Sequence, residues 1–527
     1  MLTPDPTSVD HLQGLLDAEE PKARHVDLVG EDDGAPPPKG TFGKIGGGMA
    51  TLVALIVATY IVPAAHWARP WTADDPVLFW NLIGRELMGG AAEVEAQEEQ
   101  LAAMDELTQQ ATAEADDEEA DALPDRVAVD VPKAGGLPPY EAHPDDAEEV
   151  PQALELPTPE ALDGFYARLA ETDAGFDGAI TRVSHWGDSV IASDYVTSAI
   201  RQRMQRRFGD AGHGWHLIST PTLSYRHRGI RFKKGDWDNC YIINGCRQDG
   251  HYGYGGTVFT SKGSSKVTFG TARKGAFGRK VSHFELWYAA EPRGGPIKVQ
   301  VDDGETQTLD GRADELTDRY AEFEVQDGEH ELSIRVNAGR GRLYGVVLER
   351  EGPGVVWDGL SNLGAFTGRM LKADPAHMRA QIDRRDPALL VFQFGGNDLI
   401  MKASKYDLLE RQTRELIQLY RGTENPRACL VISPVDHGEK KGGRIVSVEA
   451  MAPITDIQRR VALEQGCAFF DAQAAMGGPN AIALWRDRNL MSADLAHLSE
   501  DGQQVLGHMI YLALMQGYRA YRERIAR

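Results

Sequence analysis

The sequence predicts an α/β protein: a parallel sheet between two layers of helices, with an all-β sandwich inserted into it. Two observations carry the first part. Short runs at 388–394, 429–433 and 467–471 are apolar throughout rather than alternating, as expected of strands covered on both faces. Helix-length patterns at 405–421, 448–464 and 501–524 separate or follow them, and strands spaced by helices imply parallel pairing. A third observation carries the insertion. Residues 220–350 are rich in Gly and aromatics and show two-residue periodicity at 284–288, 297–301, 323–325 and 332–336. Asp303-Gly304 and Asp327-Gly328 fall at the ends of such runs, a strong hairpin signal, and closely spaced hairpins indicate a sandwich.

In chain order, the first 44 residues are polar and rich in Pro and Asp, the composition of a disordered tail. Residues 45–65 carry no Asp, Glu, Lys or Arg and just reach the ~20 apolar residues that span a bilayer. A single-pass membrane anchor is the reading preferred here over a buried core helix or a cleaved leader. Residues 66–157 form the expected stalk, helix-prone from 74 to 115 and then acidic and Pro-punctuated, an extended and self-repelling spacer. The catalytic part is expected at 158–219 and 351–527, with the sandwich at 220–350.

The net charge of −23 is unevenly distributed. Residues 1–160 hold 33 Asp and Glu against 8 Lys and Arg, so the remainder is nearly neutral. A neutral globular part without a basic run argues against nucleic acid as a partner. Four cysteines are too few for a disulfide framework. Cys240 and Cys246 could close a small ring in an oxidising compartment, whereas Cys429 and Cys467 lie in apolar runs and read as buried free thiols. No spacing resembles a metal site, His213 and His216 included, and no metal or organic cofactor is expected.

The chemistry centres on Ser184-His185-Trp186-Gly187-Asp188-Ser189, between a β-like run at 179–183 and a helical pattern at 195–208. A small Gly-Asp-Ser at a strand-to-helix turn either caps a helix or exposes a nucleophile. A nucleophilic serine needs a base, an orienting group and oxyanion donors. Asp494-Leu495-Ala496-His497 supplies a carboxylate that can turn back onto an imidazole. Gly395-Gly396-Asn397-Asp398 lies at the C-terminal end of a buried strand, where open α/β sheets bind ligands, and the Asn397 amide can donate to an oxyanion. A glycine loop at 358–365 offers a further backbone N–H, that of Gly364 foremost, with Gly359 and Gly368 as alternatives.

These four blocks, in this order, resemble those of the SGNH (GDSL) hydrolases over about 175–525. The resemblance implies a three-layer, flavodoxin-like sheet with Ser189 as nucleophile, His497 as base and Asp494 as its partner. It also implies an oxyanion hole from the N–H groups of Ser189 and Gly364 and the side chain of Asn397. No Gly-x-Ser-x-Gly string of an α/β-hydrolase is present. The β insertion between the first two blocks is similar in arrangement to bacterial peptidoglycan O-acetylesterases, which implies an acetylated glycan as substrate and a periplasmic domain tethered to the inner membrane. Tyr252 and Tyr254, in a Gly-rich run, are the candidate sugar-stacking residues; Trp237, Trp287 and Tyr288 are weighed with them, the last two reading better as ordinary strand residues. The alternatives are a glycan O-acetyltransferase using the same triad and a non-catalytic glycan-binding protein.

Overall fold

The computed structural model describes residues 90–113, 121–126, 128, 136–146 and 148–527, with side chains of the first helix from residue 102. The chain divides into two units, Met1–Gln100 and Leu101–Arg527. Of the first, only the start of the helix Gly90–Ala113 is described. The tail at 1–44 and the anchor expected at 45–65 lie outside the described residues. Among the described residues, no helix is long and apolar enough to cross a membrane.

The second unit is built on a five-stranded sheet. Its strands are β1 (Ile180–Gly187), β2 (Gly354–Ser361), β3 (Leu389–Gln393), β4 (Ala428–Ile432) and β5 (Ala468–Phe470). All neighbours pair in parallel, in the spatial order β2-β1-β3-β4-β5. The uniformly apolar runs are explained by their two covered faces. In β3, Leu390 and Phe392 pack with the helices Pro375–Arg385, Tyr406–Arg421 and Met451–Glu464, while Leu389 and Val391 pack with Asp163–Asp173, Tyr195–Phe208 and Glu500–Ile525. The direction of travel reverses between β1 and β3, since the chain leaves β1 toward β2 and returns on the other side. That reversal opens a crevice beyond the strand ends.

The insertion consists of two antiparallel sheets, one containing Val281–Ala290 and Arg342–Glu349, the other Ser265–Thr271 and Glu331–Val336. It begins before residue 220, because Gly212–Leu217 pairs antiparallel with Arg342–Glu349. The sandwich is not a separate bead: its core and one face of the parallel sheet form one apolar cluster. Trp186 of β1 donates from Nε1 to the Tyr254 carbonyl at 3.1 Å, with the two rings 5.1 Å apart.

The stalk and cysteine expectations need correction. Parts of the acidic linker dock on the domain instead of extending from it. Asp146, fully buried, pairs with Arg207 at 2.5 Å, Asp125 pairs with Arg350 at 2.7 Å, and Glu155 bridges the backbone of Phe469, covering the edge of β5. An acidic run repels itself only where guanidinium partners are lacking. Cys429 and Cys467 are not free thiols: β4 and β5 pair beside them, their Cα atoms stand 4.8 Å apart and they are bonded, as are Cys240 and Cys246.

A buried ion network clamps sheet to sandwich. Arg385 reaches both oxygens of Asp358 in β2, at 2.7 and 2.9 Å, and also contacts Glu349 of the sandwich, which accepts from Arg182 of β1 at 2.7 Å. Burial pushes the Glu349 carboxyl up, but Arg385 and Arg182 outweigh it and hold it well below the usual range. Arg385→Met takes from buried Asp358 the only cation it has among the described residues, leaves Glu349 with Arg182 alone, and is expected to cost about 3–5 kcal/mol in chemical denaturation at pH 7. Because Glu349 has a depressed folded pKa, its contribution is present above the ordinary carboxylate pKa and fades as pH falls below it. The gap between the two proteins should therefore narrow in acid, whereas a constant gap down to pH 3 would contradict this account of Glu349.

Candidate active site

The crevice at the reversal point gathers three of the four sequence blocks. β1 ends at Gly187, where space is limiting: a Cβ there would stand 3.0 Å from the Gln393 carbonyl and from Ile191. Asp188 follows and accepts the Val190 N–H at 3.1 Å, starting a short 3-10 turn, Ser189–Ile191. Ser189 thus leaves the strand end half-buried, with its hydroxyl toward the cleft.

The histidine comes from the loop before the C-terminal helix. Leu495 adopts the left-handed conformation, φ 59°, which costs about 1–3 kcal/mol for a branched side chain. Burial of the Leu495 side chain and the Gly438 N–H bond to its carbonyl offset that cost. The bend lets Asp494 fold back: Oδ1 accepts the N–H groups of Ala496 and His497, each at 3.0 Å, and Oδ2 accepts His497 Nδ1–H at 2.7 Å. Nδ1 is thereby the donor, which leaves Nε2 to accept the Ser189 hydroxyl at 3.0 Å. Burial raises the Asp494 carboxyl, but the hydrogen bonds from His497 and the two backbone groups outweigh it and keep it below its ordinary value. The arrangement is that of a serine–histidine–carboxylate relay, with Asp494 and His497 about half exposed at 52% and 51%.

Asn397 follows β3 through Gly395, whose φ of +120° and tight contacts with Gln458 and Pro434 exclude a side chain. Its amide donates to Asp188 Oδ2 at 3.4 Å and to the Ala365 carbonyl at 3.2 Å. Gly364 has φ +79° in the loop after β2, a conformation that favours glycine. Neither Gly364 nor Asn397 lines the cleft that holds Ser189 and His497. His437 is a polar lining residue that escaped the sequence reading. His437 donates from Nδ1 to the Val435 carbonyl at 2.8 Å and lines the cleft, while burial lowers its pKa. Its only sequence signal was a lone histidine in Val435-Asp436-His437-Gly438.

The aromatic candidates are corrected. Tyr252 and Tyr254 are 0% exposed, and Trp237, Trp287 and Tyr288 are buried as well. The Gly-rich run serves close packing rather than access: a Cβ at Gly253 would stand 2.6 Å from Tyr344, and one at Gly255 2.5 Å from Trp215. His251, Asp318 and His377 form the one metal-like cluster among the described residues. Two of the three residues are engaged with each other or the backbone, His377 Nδ1 donating to Asp318 at 2.6 Å and Nε2 accepting the Gly253 N–H at 2.9 Å, while His251 Nδ1 stands 3.5 Å from Asp318 Oδ1.

Residues 335–505 match the GDSL-like lipase/acylhydrolase family. A solved peptidoglycan O-acetylesterase is similar at 20% identity and TM-score 0.59, over 69% of this chain and 99% of that one. A family two carbohydrate esterase from Cellvibrio japonicus is similar at 11% identity and TM-score 0.23, over 58% and 98%. An acetyl xylan esterase is similar at 18% identity and TM-score 0.24, over 30% and 79%. No curated protein matches the sequence.

Asp188 provides a test of the site's electrostatics. Burial raises its carboxyl to about 6 against the opposing Val190 N–H, with Asp398 raising it further and the Gly396 N–H and His497 lowering it. A raised folded pKa means the native state holds the proton longer, so stability from this group falls as pH rises from about 4 to 6. In Asp188→Asn that component should vanish from the thermal midpoint measured across pH 4–7. An unchanged slope would refute the shift.

Proposed function

We propose that this chain, a carboxylic ester hydrolase of the SGNH type, removes O-acetyl groups from a cell-envelope glycan through an acyl-enzyme on Ser189. The observation that carries the proposal is the relay Asp494–His497–Ser189, closed by hydrogen bonds of 2.7 and 3.0 Å. In the proposed reaction Ser189 Oγ attacks the ester carbonyl while His497 Nε2 takes its proton, and Asp494 stabilises the resulting imidazolium. His497 then protonates the departing sugar hydroxyl. A water, deprotonated by the same nitrogen, releases acetate and restores the serine. In this reading the Ser189 N–H steadies the oxyanion, joined by Asn397, which adjoins the cleft through Asp188, after it gives up its bond to Asp188 or Ala365.

Two further features support the finer reading. The cleft over Ser189 is small, about 30 Å³, which suits a short acyl group. The triad's exposure gives water ready access and so favours hydrolysis over transfer to a second sugar. Location outside the cytoplasm belongs to the same proposal. The two disulfides suit an oxidising compartment, and the apolar run at 45–65 is the proposed membrane tether.

Acetate release from O-acetylated peptidoglycan tests the reading. Ser189→Ala should reduce it to background, and Asp494→Asn should lower kcat by about 10²–10⁴ with the fold intact. Aryl esters of increasing chain length should be cleaved progressively more slowly beyond acetyl. Unchanged acetate release by Ser189→Ala would falsify the mechanism, and faster cleavage of long-chain esters would overturn the acetyl preference.

A further inference from the structure

His437 stands half-buried on the wall of the Ser189 cleft and takes no part in the reaction proposed above. It follows β4, in the loop at 433–438, beyond the same edge of the parallel sheet as Ser189. The backbone on either side of it is fixed. Its carbonyl accepts the Val448 N–H at 2.8 Å, and the Gly438 N–H donates at 2.8 Å to Leu495, in the turn that carries His497. The preceding residue, Asp436, is fully buried and accepts the Ile482 N–H at 3.0 Å and the Gln473 amide at 2.8 Å. Gly396 lies against the ring itself: a Cβ there would stand 3.4 Å from His437 Cε1 and Nε2. The imidazole is thus anchored to both the Asn397 turn and the triad loop, and its place is set before any substrate binds.

The two ring nitrogens differ. Nδ1 lies 2.8 Å from the Val435 carbonyl, which can only accept, so Nδ1 carries the proton. Burial holds the ring below its ordinary pKa against the Val435 bond, with His497 lowering it further and Asp436 and Asp494 opposing, so the imidazole is neutral at pH 7. Nε2 is then a lone-pair acceptor that no group among the described residues fills, and it is not sealed from solvent. The other side-chain acceptors of the cleft wall are committed. Gln503 Oε1 accepts from Ser193 at 2.7 Å, and Ser433 Oγ accepts the Ala472 N–H at 2.8 Å. Gln393 Oε1 accepts His185 Nε2–H at 3.0 Å, and Asp188 accepts from Val190 and Asn397. Among the described side chains of this wall outside the triad, His437 Nε2 is the open acceptor.

A fixed acceptor is matched by an O–H donor. An acetyl ester has none, whereas the sugar that carries it has several. We propose that His437 Nε2 accepts the hydrogen bond of a free hydroxyl on that sugar, beside the oxygen that His497 protonates, so that the cleft recognises an ester by its hydroxylated alcohol half. The proposal rests on the esterase reading above. His437 binds the hydroxyl without deprotonating it, because its Nδ1 faces a neutral carbonyl while that of His497 faces the Asp494 carboxylate, which stabilises an imidazolium. The ring is already held in place, so the contact orders little that was free. It is made before the chemical step as well as during it, and therefore acts on KM rather than on kcat.

The test separates the two ring nitrogens in the full chain. His437→Asn keeps an amide near the Nδ1 position, able to donate to Val435, and removes the open acceptor. His437→Gln instead keeps an amide oxygen near the Nε2 position. The quantity read is the ratio of kcat/KM for O-acetylated peptidoglycan to that for p-nitrophenyl acetate, whose leaving group has no free hydroxyl. In His437→Asn the ratio should fall about three- to tenfold, the worth of one neutral hydrogen bond, through a raised KM on the glycan. His437→Gln should recover most of the loss. A ratio that keeps its wild-type value in His437→Asn overturns the contact and leaves the esterase intact, even where both rates fall. A general loss of the site, or of the water that resolves the acyl-enzyme, lowers both substrates together. An equal fall of the ratio in the two variants assigns His437 to packing and also overturns the contact. Absence of acetate release from peptidoglycan by the wild-type chain overturns the glycan esterase reading, and the contact falls with it.

Discussion

The buried guanidinium of Arg385 holds the architecture together. It sits at the end of the helix Pro375–Arg385, and its two principal partners belong to different layers: Asp358 to the parallel sheet, Glu349 to the last strand of the sandwich. Asp358 also accepts the Trp215 N–H, at 2.9 Å, from the first strand of the sandwich. Entry to and exit from the insertion are therefore anchored on one carboxylate in β2. Such a network is a weak source of net stability, since dehydrating the ions offsets much of their attraction. What it does fix is geometry, because any other docking of the two layers would leave charges buried and unmatched.

That fixed geometry lets an insertion of more than a hundred residues interrupt the hydrolase without disturbing it. Ser189 and the loop after β2 are far apart in sequence, yet β1 and β2 pair in register from Ile180–Gly354 to Gly187–Ser361. The Asn362 N–H donates to the Gly187 carbonyl at 2.7 Å, carrying the pairing to the edge of the site. Apolar continuity does the rest. Trp186, directly before Gly187, packs against Tyr254 of the insertion and Phe392 of β3. The position of Ser189 therefore depends on a core that the sandwich completes.

The hydrolase elements were legible because each signal was local. Fully apolar runs marked β3, β4 and β5, and the Tyr195–Phe208 helix falls where its pattern placed it. Asp494 and His497 were readable as a pair because they stand only three positions apart, and a single bend closes that distance. The misreadings share a different cause. Tyr252 and Tyr254 looked accessible among glycines, but those glycines make room for Tyr344 and Trp215. Cys429 and Cys467 are separated by 38 positions, and only the pairing of β4 with β5 brings them together. The acidic linker was read as self-repelling because Arg207 and Arg350, distant in sequence, could not be seen as its partners.

The sequence by itself determined the layer order, the presence of an inserted sandwich and the residue types of the relay, since periodicity, turn chemistry and short spacing are properties of adjacent residues. Tertiary structure alone decided which aromatics face inward and which loop approaches the serine. Long-range contacts of this kind arise from packing two layers together, and no local pattern encodes them.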